Sequence, residues 1–159
     1  MKKKKKISTP KKIKRLQNKA NRLWFDICIL RDKNICQVKL KFPHININHS
    51  DMIQVDHCFS RSFKRLFLEI SNGTTVCQVC NSTKSGTQNR WFKANSALRD
   101  AVTLAIFDIV KQREGGVFDR MRGEVEQGGA FPEWRRVHWL EDKVAVLKEI
   151  KEMYEEGII

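Results

Sequence analysis

The sequence predicts an α+β protein in which a small strand–strand–helix core sits between amphipathic helices on either side. Three observations carry that prediction. Apolar residues recur at three- and four-residue steps near both ends of the chain, the period of a one-sided helix. The central stretch Gln54–Lys84 instead alternates short apolar runs with Asp56-His57, Asn72-Gly73 and Cys77-Gln-Val-Cys80. Hydrophobic residues make up 41% of 159 residues, enough for a modest core and too many for a disordered chain.

The formal net charge is +13, which points to a polyanionic partner. Ten of the 31 Lys and Arg lie in residues 1–20 with none of the 18 acids, leaving an excess of three for the rest. Residues 1–12 therefore read as a basic arm, 13–95 as a first helix with the core, and 96–159 as a helical extension. The Lys2–Lys6 run carries no apolar segment of the kind an export signal needs, and no apolar run approaches a membrane span. The expectation is a cytoplasmic protein without a membrane partner. Five cysteines, an odd number, fit metal binding in a reducing compartment better than a disulfide framework.

From Lys11 onward Ile13, Leu16, Ala20, Leu23, Trp24, Ile27 and Leu30 form one stripe over about five turns. Cys28 lies beside it as a small hydrophobe. Arg31-Asp32-Lys33-Asn34 ends this helix, and Ile35–Val38 is expected as a short strand. Near the other end, Asn95 or Ser96 caps a helix with the stripe Leu98, Ala101, Val102, Ala105, Ile109 and Val110, stopped by Gly115-Gly116. Trp91 and Phe92 are expected to pack against the core. Residues 114–133 read as a loop with a helical turn at Phe118–Arg122. A last helix spans Trp134–Glu155, with Leu140, Val144, Leu147, Ile150 and Met153 on one side. It could cover the first helix, form a homodimer seam or grip DNA.

A closed zinc site wants four Cys or His ligands. Cys77-x-x-Cys80 supplies one knuckle, but Cys36 is followed at the matching spacing by Lys39, and an ammonium cannot ligate zinc. The fourth ligand is then His44 or His49, in the polar loop Pro43–Ser50, with Cys58 behind them; the alternative is that zinc has been lost and packing or hydrogen bonds replace it. Cys58 points away from its neighbour His57 along a strand and reads as core. For chemistry, His57 has the side chain whose ordinary pKa suits a general base. Asp56 offers a hard oxygen to Mg²⁺ or Mn²⁺, and Asn81 a second, neutral one. Asn72 could orient His57, and Lys84 could face a phosphate. The bland alternatives are a hydrogen-bonded surface pair, a turn dipeptide at Asn72-Gly73 and a structural Cys-x-x-Cys.

Taken in order, three segments resemble the HNH, or ββα-metal, endonucleases, and within them the phage NinG/Rap recombination nucleases. They are Leu16–Trp24 running on to Asp32 and Cys36, Asp56-His-Cys-Phe-Ser-Arg61-Ser62, and Asn72 through Cys77-x-x-Cys80-Asn81 to Lys84-Ser-Gly86. The resemblance covers roughly residues 16–90 and reads His-Asn-Asn where many such enzymes end in His. It implies a hairpin and helix around one catalytic Mg²⁺ or Mn²⁺, a possible structural Zn²⁺, and DNA cleavage. It also implies His57 as base, Asp56 and Asn81 as metal ligands and Asn72 as the central Asn. Phosphates would be met by Lys3, Lys4, Lys5, Lys11 and Lys12 in the arm and by Arg61, Lys64 and Arg65 after the first strand. The competing reading is a non-catalytic zinc-knuckle protein that only holds DNA.

Overall fold

A computed structural model describes residues 9–85, 96–113, 116–129 and 131–159. The arm residues Lys3, Lys4 and Lys5, and Trp91 and Phe92, lie outside these. Among the described residues the fold is mixed α+β, mostly helical, with one two-stranded antiparallel sheet. In chain order it holds α1 (Thr9–Arg31), α2 (Gln37–Lys41), β1 (Ile53–His57), a 3-10 turn at Ile70–Asn72, β2 (Gly73–Cys77) and α3 (Gln78–Ser85). There follow α4 (Ser96–Arg113), α5 (Val117–Gln127), a 3-10 turn at Pro132–Arg135 and α6 (Val137–Glu155). Among the described residues no helix is long and apolar enough to cross a membrane.

Helix α1 buries Leu16, Ala20, Trp24, Ile27 and Cys28, while Leu30 stays exposed. Its apolar side meets Leu140, Val144 and Leu147 of α6, together with Leu68 from the loop between the strands. Of the three roles open to the last helix, covering the first is the one the fold displays. Two rim ion pairs hold the seam, Lys12 to Glu141 at 2.7 Å and Lys151 to Asp26 at 3.0 Å. A second core joins Val38, Cys36, Val76, Cys77 and Cys80 to Val102, Ile106 and Ile109 of α4 and Met121 of α5. The hairpin lies between the two cores, in the register Asp56 opposite Thr74 and His57 opposite Gly73.

Three expectations change. Residues 35–38 form no strand: Lys33 and Asn34 both take left-handed backbone (φ 54°), reversing the chain, and Gln37 starts α2. Its buried amide donates to the carbonyls of Asp32 and Ile35, both at 3.1 Å. Residues 117–127 are a full helix instead of a loop with one turn. Met121 is completely buried and Val117, Phe118 and Val125 pack on the same core. Arg120–Glu124 and Arg122–Glu126 pairs lace the outer side. Trp134–Arg136 precede α6, which begins at Val137.

Gly73 is not part of a reversing turn but the first residue of β2, with extended backbone (φ −91°, ψ 142°). Glycine is needed there for space, not for conformation. A Cβ would lie 2.8 Å from Cζ2 of Trp24 and closer still to Sγ of Cys28, so its absence lets α1 lie against the head of the strand.

Candidate functional site

Four side chains from four separate segments converge. Cys36 caps α2, His49 comes from the loop before β1, Cys77 ends β2 and Cys80 lies in the first turn of α3. Their ligand atoms all lie within 4.8 Å of one another. Sγ of Cys80 is 3.5 Å from that of Cys77 and 3.9 Å from that of Cys36. Nδ1 of His49 is 3.4 Å from Cys77, 3.4 Å from Cys80 and 3.8 Å from Cys36. A tetrahedral Zn²⁺ with S arms of about 2.3 Å and an N arm of about 2.0–2.1 Å spans edges of about 3.8 Å and about 3.5 Å. The donor set and the spacing both fit such an ion.

The sulfurs are all free thiols and too far apart for a disulfide bond. Contacts from the Cys36 and Cys80 sulfurs hold the Cys77 thiol well below its ordinary value, and contacts from the Cys36 and Cys77 sulfurs raise Cys80. Three thiols this close repel one another when ionised, a condition a divalent cation relieves. The Cys77 sulfur raises the Cys36 thiol above its ordinary value, against a smaller opposing contribution from the backbone amide of Lys39, the residue that stands where a second cysteine would complete the first knuckle. His49 replaces the missing ligand. His44 does not join the group: it is exposed, its ring edge-on to Phe42 with centroids 6.0 Å apart. Cys58 is buried in the core and stands outside the cluster.

The other half of the site begins at His57, which is 8% exposed. Its ring lies nearly parallel to Trp24 of α1 (centroids 4.2 Å, 14°) and to Phe67 (5.0 Å, 7°), which are themselves 6.5 Å apart, so the three rings form one cluster. Trp24 is itself pinned by its indole N–H, which donates to the carbonyl of Glu69 at 2.8 Å. Nε2 of His57 is 3.1 Å from the carbonyl oxygen of Phe67. A carbonyl can only accept, so the proton is on Nε2 and the lone pair on Nδ1. Burial pushes the imidazole pKa down to about 4 against the contribution of that carbonyl, and the charges of Arg61, Lys84 and Lys64 push the same way. The ring is neutral at pH 7.

Strand alternation sends Gln54 and Asp56 to the opposite side from His57, toward α3. Nζ of Lys84 lies 2.6 Å from Oδ2 of Asp56 and also donates to the His57 carbonyl. Asn81 donates its amide to Gln54. A cleft of about 200 Å³ is lined by Asp56, His57, Asn81, Arg61, Trp24 and Asn21. A neighbouring one of about 280 Å³ is lined by Asp56, His57, Arg61 and Lys84. Asp56 and Asn81 are the oxygen donors that could hold Mg²⁺ or Mn²⁺, an ion that keeps several waters and takes one or two protein ligands. The ammonium of Lys84 already neutralises one oxygen of that carboxylate, so an ion at Asp56 would have to share it with Lys84.

Asn72 is completely buried but its side chain does not reach His57. Oδ1 accepts from the Phe59 amide at 2.7 Å, and Nδ2 donates to the carbonyls of Phe59 and Leu66, both at 3.1 Å. It clamps the two ends of the 59–66 loop, and the orienting contact to His57 comes from Phe67 just beyond. Arg61, Lys64 and Arg65 are exposed on that loop. Lys64 lies over Phe67 (5.1 Å) and Arg65 over Phe131 (5.6 Å). Lys11 is exposed on α1, whereas Lys12 is engaged by Glu141.

Sequence reasoning passed over one structural centre. Asp32 accepts a bidentate pair from Arg31 (2.9 and 3.0 Å), a second guanidinium from Arg113 (3.2 Å) and the Thr75 amide (2.8 Å). Both arginines also donate to the Gly73 carbonyl, at 2.7 and 2.8 Å. This knot ties the ends of α1 and α4 to the head of β2, opposite His57.

Comparison with known proteins adds no relative: no protein-family model matches the chain, and neither a curated protein nor a solved structure matches it.

Proposed function

We propose that this chain is a metal-dependent endodeoxyribonuclease of the HNH type, hydrolysing DNA phosphodiester bonds with His57 as general base. The observation that carries the reading is the state of His57. It is neutral, its tautomer is set by the Phe67 carbonyl, and it lies in the wall of a cleft shared with Asp56, Asn81 and Arg61. A neutral imidazole has its lone pair on Nδ1 available at neutral pH and becomes an imidazolium when it takes the proton from water; its pKa of about 4 makes it a weaker base than an ordinary histidine. Asp56 and Asn81 would hold Mg²⁺ or Mn²⁺, which supplies charge neutralisation at the phosphate and the leaving oxygen. Asn72 keeps the 59–66 loop closed behind the imidazole, and Arg61 meets a phosphate at the mouth. A role in phage recombination or DNA processing follows from the sequence resemblance alone.

The Cys36, His49, Cys77 and Cys80 group is the support of this site, since it joins β2 and α3 to the chain before β1. The experiment is nicking of supercoiled plasmid with Mg²⁺ or Mn²⁺, wild type against His57→Ala and His57→Asn. Loss of the base should slow turnover by about 10²–10⁴-fold, with duplex binding retained because affinity comes mainly from phosphate contacts. One observation favours the non-catalytic alternative, the Lys84 ammonium on Asp56. A wild-type protein that binds duplex DNA and nicks it with neither metal supports that alternative and overturns the nuclease reading.

A further inference from the structure

Helix α1 has a second surface that the site does not use. Its inner side packs on α6 and stacks Trp24 on His57, while Lys11, Lys14, Arg15, Lys19 and Arg22 are exposed on the outer side. None of these five makes an ion pair among the described residues; the Lys12 pair with Glu141 and the Lys151 pair with Asp26 lie on the α6 flank. No acid precedes Asp26 in the sequence. The helical period places Lys14, Asn18, Asn21 and Phe25 in a row along the flank nearer the hairpin. The far end of that row is part of the cleft, because Asn21 and Phe25 line it beside His57 and Asp56. Arg61 stands on the cleft wall, with Lys64 and Arg65 on the same loop.

We propose that the outward face of α1 is a docking track for the phosphate backbone of duplex DNA, leading the strand from Lys11 to the cleft at His57. The commitment to DNA rests on the nuclease reading; the commitment to a polyanion rests on the charge pattern itself. From Lys11 to Asn21 the helix rises about 15 Å. Duplex DNA carries one charge per about 1.7 Å of axis, so an unopposed basic row of this length faces several phosphates at once. The contacts carry no sequence information. They set where along the strand the scissile phosphate lies, so these are positioning residues and not catalytic ones.

The test compares the triple variant Lys14→Gln/Lys19→Gln/Arg22→Gln with a control, Lys41→Gln/Lys111→Gln/Lys148→Gln, which loses the same charge from exposed positions elsewhere. Binding of a short mixed-sequence duplex is measured at several salt concentrations in buffer without Mg²⁺ or Mn²⁺, so no cleavage intrudes. Circular dichroism verifies that both variants fold. The α1 variant should lose roughly a hundredfold in affinity at low salt, and its log–log salt slope should flatten by about 2.7, for three contacts at about 0.9 each. The control should keep the wild-type slope. Equal losses in both variants would mean that only bulk charge matters and would overturn the track, as would no loss in either. A loss confined to binding of phosphatidylserine vesicles would reassign the face to a lipid surface. Plasmid nicking is read separately: a flattened slope with no nicking by the wild type leaves the track standing and removes the nuclease.

Discussion

Replacing Asp32 with Asn tests whether the buried ionic knot holds the strand that pairs with His57. The side chain of Asp32 is 4% exposed, and those of its partners Arg31 and Arg113 are 10% and 15%. An Asn side chain is nearly the same size and can still accept from the Thr75 amide. The change therefore removes charge and leaves the volume. Two guanidiniums then stay largely buried against the Gly73 carbonyl without a counter-ion. Removing one member of a buried pair costs about 3–5 kcal/mol, against a total stability of about 5–15 kcal/mol. For a chain of this size that lowers the melting temperature by roughly 6–20 °C.

The pH dependence gives a second, independent readout. Burial alone would raise the Asp32 carboxyl, but the Arg31 hydrogen bonds and the charges of Arg31 and Arg113 outweigh it and hold its pKa below 3.8. A depressed carboxyl contributes stability that is present above its unfolded value and is lost as pH falls through its folded one. The gap between wild type and Asp32→Asn should thus be constant from neutral pH down to about 4 and shrink below it. His57 also destabilises the fold in acid, since its pKa is lowered from 6.5 to about 4. It does so in both proteins and drops out of the difference. Urea unfolding with the two chains side by side measures this gap. A cost under about 1 kcal/mol at pH 7, within the range of ordinary exposed pairs, would refute the knot.

Two further outcomes follow from the geometry. The folded protein should bind about one Zn²⁺ by elemental analysis, and His49→Ala or Cys77→Ser should lose it with a large drop in melting temperature. His44→Ala should retain the metal; if it instead loses zinc while His49→Ala keeps it, the ligand assignment is wrong. Gly73→Ala should destabilise by about 1–3 kcal/mol through overpacking against Trp24 and Cys28, and near-UV circular dichroism should report the displaced Trp24–His57 stack. A thermal melt and spectrum unchanged from the wild type would show that the helix can move aside at no cost.

The parts of this fold that were legible in the sequence are those encoded within a few residues. The stripe from Leu16 to Ile27, the stripe from Val102 to Val110 and that from Leu140 to Leu147 each mark a helix that the structure contains, because a helix repeats its neighbours every three or four positions. The Cys77-x-x-Cys80 pair marks the junction where β2 ends and α3 begins. Helix α5 was hidden because its burial rests chiefly on Met121, one residue in a segment otherwise rich in Gly and charge.

What only the tertiary structure decided is which distant residues meet. His44 and His49 are equivalent by composition and loop position, and the difference is that the chain before β1 brings His49 to Cys77 and Cys80. Asp32 read as the end of a helix because its second guanidinium, Arg113, is 81 residues away. Asn72 was visible as a candidate, yet its partners on Phe59 and Leu66 depend on how the loop between the strands closes. Trp24 looked like one more apolar residue on a stripe, and became the platform for His57 because Gly73 leaves no side chain between α1 and β2. Local periodicity is a property of the chain, whereas a pairing across the core depends on every element between the partners packing first.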